Sequence, residues 1–489
     1  MRRGWLVGVF ATLAFAQTLA YYVYLRDDPG NYNGAGAQGD QVAYIDLAQQ
    51  VLHGTWQGAV HYMPGLPAVV AASQLVFGEP RFGIAVVQGL VYALVVVFAA
   101  RLALAAFGEP AAAWAAGCVG LNPALGYYAS QALTEFLTAA GLLALAWAMF
   151  AWSRFHALRV AALAGLVIGG LAYLRAEYLG LAALFALIVL ACGWWRVGLS
   201  VGLQNAFALV AVAGLVLAPW VVRYAVVTGT PALYNESPFS NLVLMGTWFR
   251  VFDEQTFSEL QAIETSAGAR DDAIQRASVV GPRPELSRRY MEQARGPYER
   301  PLAETVSLAI GNVKLNWRQY LVNHFVLAPV LIWAGHTPVR QADAPHLPAS
   351  GRYAIWAAEF AMFAVAVWQA VRVFAPAGQP LAALARDPRA DMDPAEGSPI
   401  GGWQRRDRAA SGEPTDNASD GWPAASVDDG TRVLAVSFLA VVAFLTLVHV
   451  LIAVDERFTT PALPLVGVFA AARAAGLVRG RRAVAVRYA

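Results

Sequence analysis

Long apolar stretches recur along most of this chain and leave little of it for a soluble core. A helix needs roughly 20 consecutive apolar residues to cross the hydrocarbon layer of a bilayer. Hydrophobic residues make up 58% of the 489 residues and charged residues 14%, whereas a soluble protein carries about 25% charged residues. The sequence therefore predicts an all-α polytopic membrane protein.

Ten segments are apolar and long enough to be spanning helices. They are 5–25, 82–107, 111–128, 131–152, 158–174, 178–195, 203–226, 353–375, 432–454 and 459–476. Two shorter apolar runs, 64–78 and 321–335, leave both a crossing and an interfacial or re-entrant arrangement open. The expected architecture is a bundle of about ten transmembrane helices.

Positive charge indicates which connections face the cytoplasm, because Lys and Arg are enriched in cytoplasmic loops. Arginine occurs near 101, in 153–159 and in 194–196. The connections 122–135, 173–178 and 219–231 are then expected on the outer side, which the first loop, 26–67, would share. Both termini are expected in the cytoplasm, with Arg2 and Arg3 ahead of an uncleaved first helix.

The composition changes along the chain predict five parts. These are an N-terminal transmembrane module at 1–226 with the outer loop 26–67, an extracytoplasmic region with short interfacial helices at 227–350, a transmembrane helix at 351–375, a cytoplasmic linker at 376–431, and C-terminal transmembrane helices with a basic tail at 432–489. The linker is rich in Pro, Gly, Asp, Arg and Ser. It is predicted to be disordered because such a composition cannot bury a core.

Charged residues gather at the predicted outer side of the bundle, where they are costly and usually functional. They are Asp40, Asp46, His61, Glu135, Arg175, Glu177, Arg223, Asp455, Glu456 and Arg457. Asp40 begins an amphipathic pattern over 40–53 that is too polar to span. Acids and arginines above an apolar interior suit a site that holds a lipid-linked anion and activates a hydroxyl beside it.

Five stretches, in this order, resemble a known superfamily. They are GDQVAYIDLAQQVLHG with HYMPGLPAVVAASQLVFG, LNPALGYYASQALTEFLTAAGLLALAWAM, GGLAYLRAEYL, APWVVRYAVVTGTPALYNESPFSNLVLMG, and DERFTTPALPLVGVFAAA. Together they are similar to the GT-C superfamily of polyprenyl-phosphate-sugar glycosyltransferases. The resemblance is to the bacterial branch with protein O-mannosyltransferases and the lipid A aminoarabinose transferase. The chain departs from that pattern at Gln41, where a second acid is frequent, and at Met63, where a lysine precedes two prolines.

The resemblance implies a GT-C-like bundle with its active site on the extracytoplasmic face of the plasma membrane. The donor would be a sugar on an undecaprenyl- or decaprenyl-type phosphate, and the acceptor a hydroxyl of a lipid, glycan or protein. Asp40 would be the general base of an inverting transfer. The donor phosphate would be held by Arg457, Arg223 and Arg175, in that order, and substrates by Glu135, His61, Tyr62, Glu177 and Glu456.

No cofactor, metal or nucleic-acid partner is expected, and Cys118 and Cys192 lie in apolar segments without metal-ligand spacing. Two other functions remain open. A transporter or flippase would carry charges at mid-membrane and internal repeats. An O-antigen polymerase or ligase would use arginines and a histidine of its large outer loop, yet residues 228–320 contain no histidine.

The candidate residues also have purely structural interpretations. Asp40 and Asp46 could be solvated acids on a helix surface. Glu135 could be a carboxylate that is favoured at a helix N-terminus. Arg175 and Arg223 could be interfacial anchors whose long side chains reach to the membrane surface. His61 and Tyr62 could be an aromatic pair at the membrane interface, and residues 455–457 could be a solvated turn.

Overall fold

The computed structural model describes residues 4–26, 40–56, 62–233, 242–266, 268–297, 300–334, 348–374, 429–452 and 456–488. Every regular element in these ranges is helical, and they contain no strand. The predicted linker falls almost wholly outside the described residues, as do His61 and Asp455 and the side chains of Glu456 and Arg457.

The helices of the bundle lie in the two ends of the sequence. They are α1 (Gly4–Leu25), α2 (Asp40–His53), α3 (Gly65–Phe77), α4 (Pro80–Phe107), α5 (Glu109–Gly120), α6 (Pro123–Ala129), α7 (Thr134–Phe155), α8 (Leu158–Leu174), α9 (Gly180–Val197) and α10 (Leu199–Thr228), with a 3-10 turn at Ala176–Leu179. Short helices follow: α11 (Glu254–Thr265), α12 (Arg270–Ala277), α13 (Pro284–Ala294), α14 (Leu302–Leu315), α15 (Trp317–Val322), a π-turn (Asn323–Leu327) and α16 (Ala328–Ala334). The chain ends with α17 (Ala349–Arg372), α18 (Asp429–Ile452), a 3-10 turn (Glu456–Ala462) and α19 (Leu463–Tyr488).

Six helices in the described residues are long and apolar enough to cross a membrane. They are Gly4–Leu25, Pro80–Phe107, Thr134–Phe155, Ala176–Val197, Leu199–Thr228 and Asp429–His449. Several present large apolar side chains outward: Leu90, Leu94 and Phe98 of α4 are each at least half exposed along one helix face. Continuous apolar surface of this kind suits lipid rather than water.

The predicted count of ten spans is not confirmed. The six long apolar helices correspond to six of the ten predicted segments, and the other four are not among the helices that are both long and apolar enough to cross. Segment 158–174 is the 17-residue helix α8, 353–375 lies mostly in α17, and 459–476 is divided between a 3-10 turn and α19.

The segment 111–128 is two helices rather than one span. Proline at 123 lacks the N–H that would continue α5, and it disfavours helical backbone at Asn122. Asn122 instead caps α6, with its Oδ1 accepting from the backbone N–H of Leu125 at 2.9 Å. Because hydrophobic residues continue through this break, hydropathy alone predicts a single helix here.

Helix α7 joins the two cores of the bundle. One core contains Leu143 and Phe150 of α7, with side chains of α1, α4, α5, α17, α18 and α19. The other contains Met149 and Trp152 of α7, with side chains of α8, α9, α10 and α18. Because α7 is enclosed on both sides, its first turn is held firmly at one end of the bundle.

Helices α8 and α10 pack through small residues. An ideal Cβ on Gly165 would lie 2.2 Å from the carbonyl oxygen of Leu209, so only glycine allows this approach. Ala161 and Gly169 occupy the neighbouring turns of the same face. Small residues at this spacing let apolar helices associate through close backbone contact.

The two shorter apolar runs take different forms. Helix α3 has 13 residues and is about 20 Å long, and it packs against α2, α4 and α8. The run 321–335 belongs to a continuous helix, 317–334, that contains the π-turn. Pro329 cannot donate to the carbonyl of Phe325, and the wider π-turn relieves that defect.

The helices between α10 and α17 have a small core of their own. Trp248, Leu260 and Tyr290 pack there with Met291 and Ala277. The amphipathic helix α13 contributes Leu286, Tyr290 and Met291 to this core, at the spacing of one helix face.

Candidate functional site

Four helix ends meet at one end of the bundle and carry most of the predicted site residues. Asp40 is the first residue of α2, Glu135 lies in the first turn of α7, and Arg175 and Glu177 follow the end of α8. Arg223 lies near the end of α10. We call this region the site end.

Asp40 is positioned by a tyrosine from the following loop. The Tyr62 hydroxyl donates to Asp40 Oδ1 at 3.0 Å. The Tyr62 ring in turn packs edge-on against Tyr44 of α2, with centroids 4.8 Å apart. Asp40 remains partly exposed, so its carboxylate is held in place and accessible from outside.

Arg175 lies between two carboxylates. Its Nε is 2.5 Å from Glu177 Oε1, and one terminal nitrogen is 3.9 Å from Glu135 Oε1. Burial lowers the pKa of Arg175, but Glu177 and Glu135 raise it more, so the net pKa is raised. The three groups carry a net charge of −1, because two acids share one guanidinium.

Tyr44 connects Asp40 to this ion cluster. Its hydroxyl interacts electrostatically with Arg175, Glu135 and Asp40. The ring is 7% exposed, and burial raises the pKa of the hydroxyl, which keeps it a neutral donor at physiological pH. The sequence prediction missed this residue because a tyrosine in an amphipathic helix equally suits a membrane interface.

Gln41 explains why a second acid is absent after Asp40. Its side chain is 1% exposed and donates from Nε2 to Gln131 Oε1 at 2.8 Å. Its Oε1 accepts from the backbone N–H of Ala132 at 3.1 Å. Gln41 thus ties α2 to the turn before α7, a structural task that a carboxylate could not perform as well.

Arg223 is held by aromatic residues. Its terminal nitrogen donates to the carbonyl oxygen of Trp56 at 2.8 Å, and its guanidinium lies over the Trp56 ring at 4.8 Å. Trp220 supplies the second ring, 5.7 Å from the guanidinium. Tyr62 packs against the same apolar group, which brings Arg223 to the edge of the Asp40 region.

Met63 fills the apolar group beneath these residues. It is 5% exposed and packs with Leu47, Leu217 and Tyr224. A lysine here would bury an ammonium among apolar side chains, which is costly. The departure from the lysine pattern therefore has a packing explanation.

The remaining predicted residues lie at the limit of what is described. His61 is outside the described residues, and so are the side chains of Glu456 and Arg457. Their backbone forms the 3-10 turn Glu456–Ala462, which packs against α7. That turn reaches the helix that carries Glu135.

Sequence reasoning also missed Glu359, an acid within the apolar helix α17. Its carboxyl lies within interaction distance of the Asn122 side chain, at the break between α5 and α6. Tyr21 and Tyr92 lie within electrostatic reach of it. The sequence alone could have singled out Glu359, since a lone acid in an apolar helix usually marks a functional or tightly paired position.

Within the described ranges, no three His, Cys, Asp or Glu side chains are grouped so as to hold a metal ion. No model of a known protein family matches the chain, and no curated protein sequence matches it.

Proposed function

We propose that this chain is a membrane glycosyltransferase that moves a sugar from a polyprenyl phosphate to an acceptor hydroxyl. One observation supports this most directly. A tyrosine-positioned carboxylate, Asp40, adjoins a partly buried arginine–carboxylate cluster where apolar helices end. A lipid-linked anion and a polar acceptor can meet at such a boundary.

The reaction would be a single displacement. The acceptor oxygen attacks the anomeric carbon while Asp40 takes the hydroxyl proton. The bond between that carbon and the phosphate oxygen breaks, and its electrons remain on the leaving polyprenyl phosphate. The products are the glycosylated acceptor and the free carrier phosphate, and the anomeric configuration is inverted.

The charge on the leaving phosphate would be stabilised by arginines. Arg223 suits this role, since its guanidinium rests on aromatic rings rather than on a carboxylate. Arg457 remains a candidate by resemblance. Arg175 already faces Glu135 and Glu177, so we propose that it orders the cluster as well as contributing positive charge.

The other predicted residues would bind sugar hydroxyls. Tyr62 positions Asp40, and carboxylates such as Glu135 and Glu177 accept hydrogen bonds from hydroxyl groups. His61 and Glu456 would complete this set from the flanking turns.

The distribution of arginine supports an extracytoplasmic site. Arg154 ends α7 and Arg196 ends α9, where it pairs with Asp429 at 2.8 Å. Glu135 and Arg154 are about 28 Å apart along α7, which is close to the thickness of the hydrocarbon layer. By the positive-inside rule, the end of the bundle with Arg154 and Arg196, which we call the arginine end, is cytoplasmic, and the site end faces outward.

The test is release of carrier phosphate by the reconstituted protein supplied with polyprenyl-phosphate sugars. Asp40→Asn should abolish release, because an amide cannot take the proton. Asp46→Asn, on the exposed face of the same helix, should retain it. Full turnover by Asp40→Asn would remove Asp40 from the catalytic role.

A transporter or flippase is the second candidate, and one observation favours it. Glu359 meets the break between α5 and α6, and discontinuous helices with charges at mid-depth are typical of transporters. Movement of labelled carrier lipid across vesicles, without release of free phosphate, would select this alternative over the transferase.

A further inference from the structure

A cavity lies among the short helices between α10 and α17. The cavity has a volume of about 800 Å³ and lies between the turn before α11, helix α13 and the π-turn. Its walls include five aromatic side chains: Trp248, Phe249, Phe252, Phe257 and Tyr290. We call it the aromatic pocket. Nothing in the proposed reaction at Asp40 requires it.

The aromatic walls are fixed in place. Trp248 and Phe252 stack with centroids 5.8 Å apart, and Tyr290 lies edge-on to both. Behind the wall, Trp248 Nε1 donates to Gln293 Oε1 at 2.8 Å, and Asn312 donates to the same oxygen at 2.8 Å. A preformed pocket of this kind loses little side-chain entropy when a ligand binds.

Two uncommon backbone features meet at the pocket. Arg250 has a φ of 50°, a conformation that costs free energy in a residue other than glycine and occurs preferentially at functional sites. Its carbonyl accepts from Gln319 at 2.9 Å and from Asn323 at 3.2 Å. Asn323 and the buried His324 belong to the π-turn, and such turns are frequent at functional sites.

The polar groups line the edge of the pocket. Arg250 is exposed and makes no ion pair among the described side chains, and Glu254, in the first turn of α11, also lines the pocket. The buried His324 of the π-turn also lines the pocket. The pocket therefore combines flat apolar faces with cationic, anionic and neutral hydrogen-bonding groups.

We propose that the aromatic pocket binds the saccharide part of the acceptor. A sugar ring presents C–H faces that pack on aromatic rings and hydroxyls that bond to charged side chains at the edge. An acyl chain would leave Arg250 and Glu254 without partners. The acceptor role rests on the proposed function, whereas saccharide binding stands on the pocket itself.

A chain of contacts connects the pocket to the site end. The π-turn continues into α16, which packs against the 3-10 turn Glu456–Ala462, and that turn packs against α7. Glu135 lies in the first turn of α7. The pocket and the helix that carries Glu135 are therefore joined through packed elements.

The first experiment is photo-crosslinking in native membranes. Phe257→p-benzoylphenylalanine places the probe at the partly exposed edge of the pocket, and Val279→p-benzoylphenylalanine places it on the exposed surface of the same helical unit. We expect mass spectrometry to find hexose- or pentose-bearing adducts at position 257 at least tenfold above position 279. Adducts of phospholipid or peptide alone, or no excess over position 279, would overturn the proposal.

A pair of variants tests the role of Arg250. Arg250→Ala and Arg250→Gly both remove the guanidinium, and only glycine relieves the positive φ. We expect both to lose the saccharide adduct at position 257 at least fivefold, with a higher Tm for the glycine variant. Undiminished adducts in both variants would exclude Arg250 from binding and contradict the proposed polar edge.

Carrier-phosphate release, measured in parallel, separates the two proposals. Saccharide adducts without any release would leave the pocket standing and refute the transferase. Release of carrier phosphate with no saccharide adduct would support the transferase and refute saccharide binding in the pocket. If both the transferase and the saccharide pocket are supported, Arg250→Gly should raise the acceptor KM at least tenfold while kcat changes by less than twofold.

Discussion

Tyr62 and Asp40 form the contact on which the proposed chemistry depends most closely. Their association could not be read from the sequence, although Asp40 could be chosen as an acid in a polar loop between apolar segments. Glu135, Arg175 and Glu177 could likewise be predicted as one set of outer charges. Which carboxylate pairs with Arg175 depends on the rotation of α7 and α8, and periodicity does not determine that rotation.

Replacing the Tyr62 hydroxyl tests how Asp40 is positioned. Tyr62→Phe keeps the ring on Tyr44 but removes the donor to Asp40. A hydrogen bond to a charged group is worth about 1.5–3 kcal/mol, so we expect kcat for carrier release to fall about 10- to 100-fold. Tyr353→Phe, at an exposed position of α17, is the control. Equal rates for both variants would show that Tyr62 has no positioning role.

Gln41 gives a pH-dependent prediction. In Gln41→Glu the protonated acid can still donate to Gln131, but the ionised acid loses that donor and is buried. The loss of stability should therefore grow as pH rises and reach about 1–3 kcal/mol when the acid is ionised. Thermal unfolding in detergent at pH 5 and pH 8 measures it. A Tm deficit that shrinks with rising pH would contradict this account.

At the scale of helices, long apolar periodicity predicted α1, α4, α7, α9, α10 and α18 well. It failed where one residue alters the backbone inside an apolar run. Asn122 with Pro123 divides α5 from α6, and Pro329 accompanies the π-turn. Such local breaks barely change hydropathy, so a pattern of hydrophobicity cannot reveal them.

The contact between α8 and α10 can be tested with two glycines of one helix. Gly165→Ala would place a Cβ 2.2 Å from a backbone oxygen, whereas Gly170 has no atom within 4 Å of its ideal Cβ. We expect Gly165→Ala to destabilise the fold by about 1–3 kcal/mol. Gly170→Ala should be neutral or stabilise it by up to about 1 kcal/mol. Chemical denaturation in detergent compares them, and equal stabilities would argue against close packing at Gly165.

At the scale of the whole molecule, composition indicated a membrane protein, and the placement of arginine predicts an orientation that stays a prediction. The number of crossings was harder to predict, because short helices such as α3 and α8 stand between spanning and re-entrant lengths. Their placement depends on neighbours rather than on their own hydropathy.

The proposed orientation can be measured by cysteine labelling. In a background of Cys118→Ala and Cys192→Ala, a membrane-impermeant maleimide should label Val279→Cys in intact cells. It should label Arg159→Cys only after permeabilisation, since Arg159 is exposed in the first turn of α8, at the end of the bundle where Arg154 lies. The opposite pattern would place the Asp40 site in the cytoplasm and exclude the proposed reaction geometry.

Glu359 also has a consequence for biosynthesis. Helix α17 has 24 residues, enough to cross a bilayer, yet an acid near its centre costs about 2.5–3.5 kcal/mol on insertion. Asn122, whose side chain lies within interaction distance of that acid, is synthesised long before it. Nascent α17 should therefore remain beside the translocon until the earlier helices have folded, which makes the α5–α6 break a docking point during assembly.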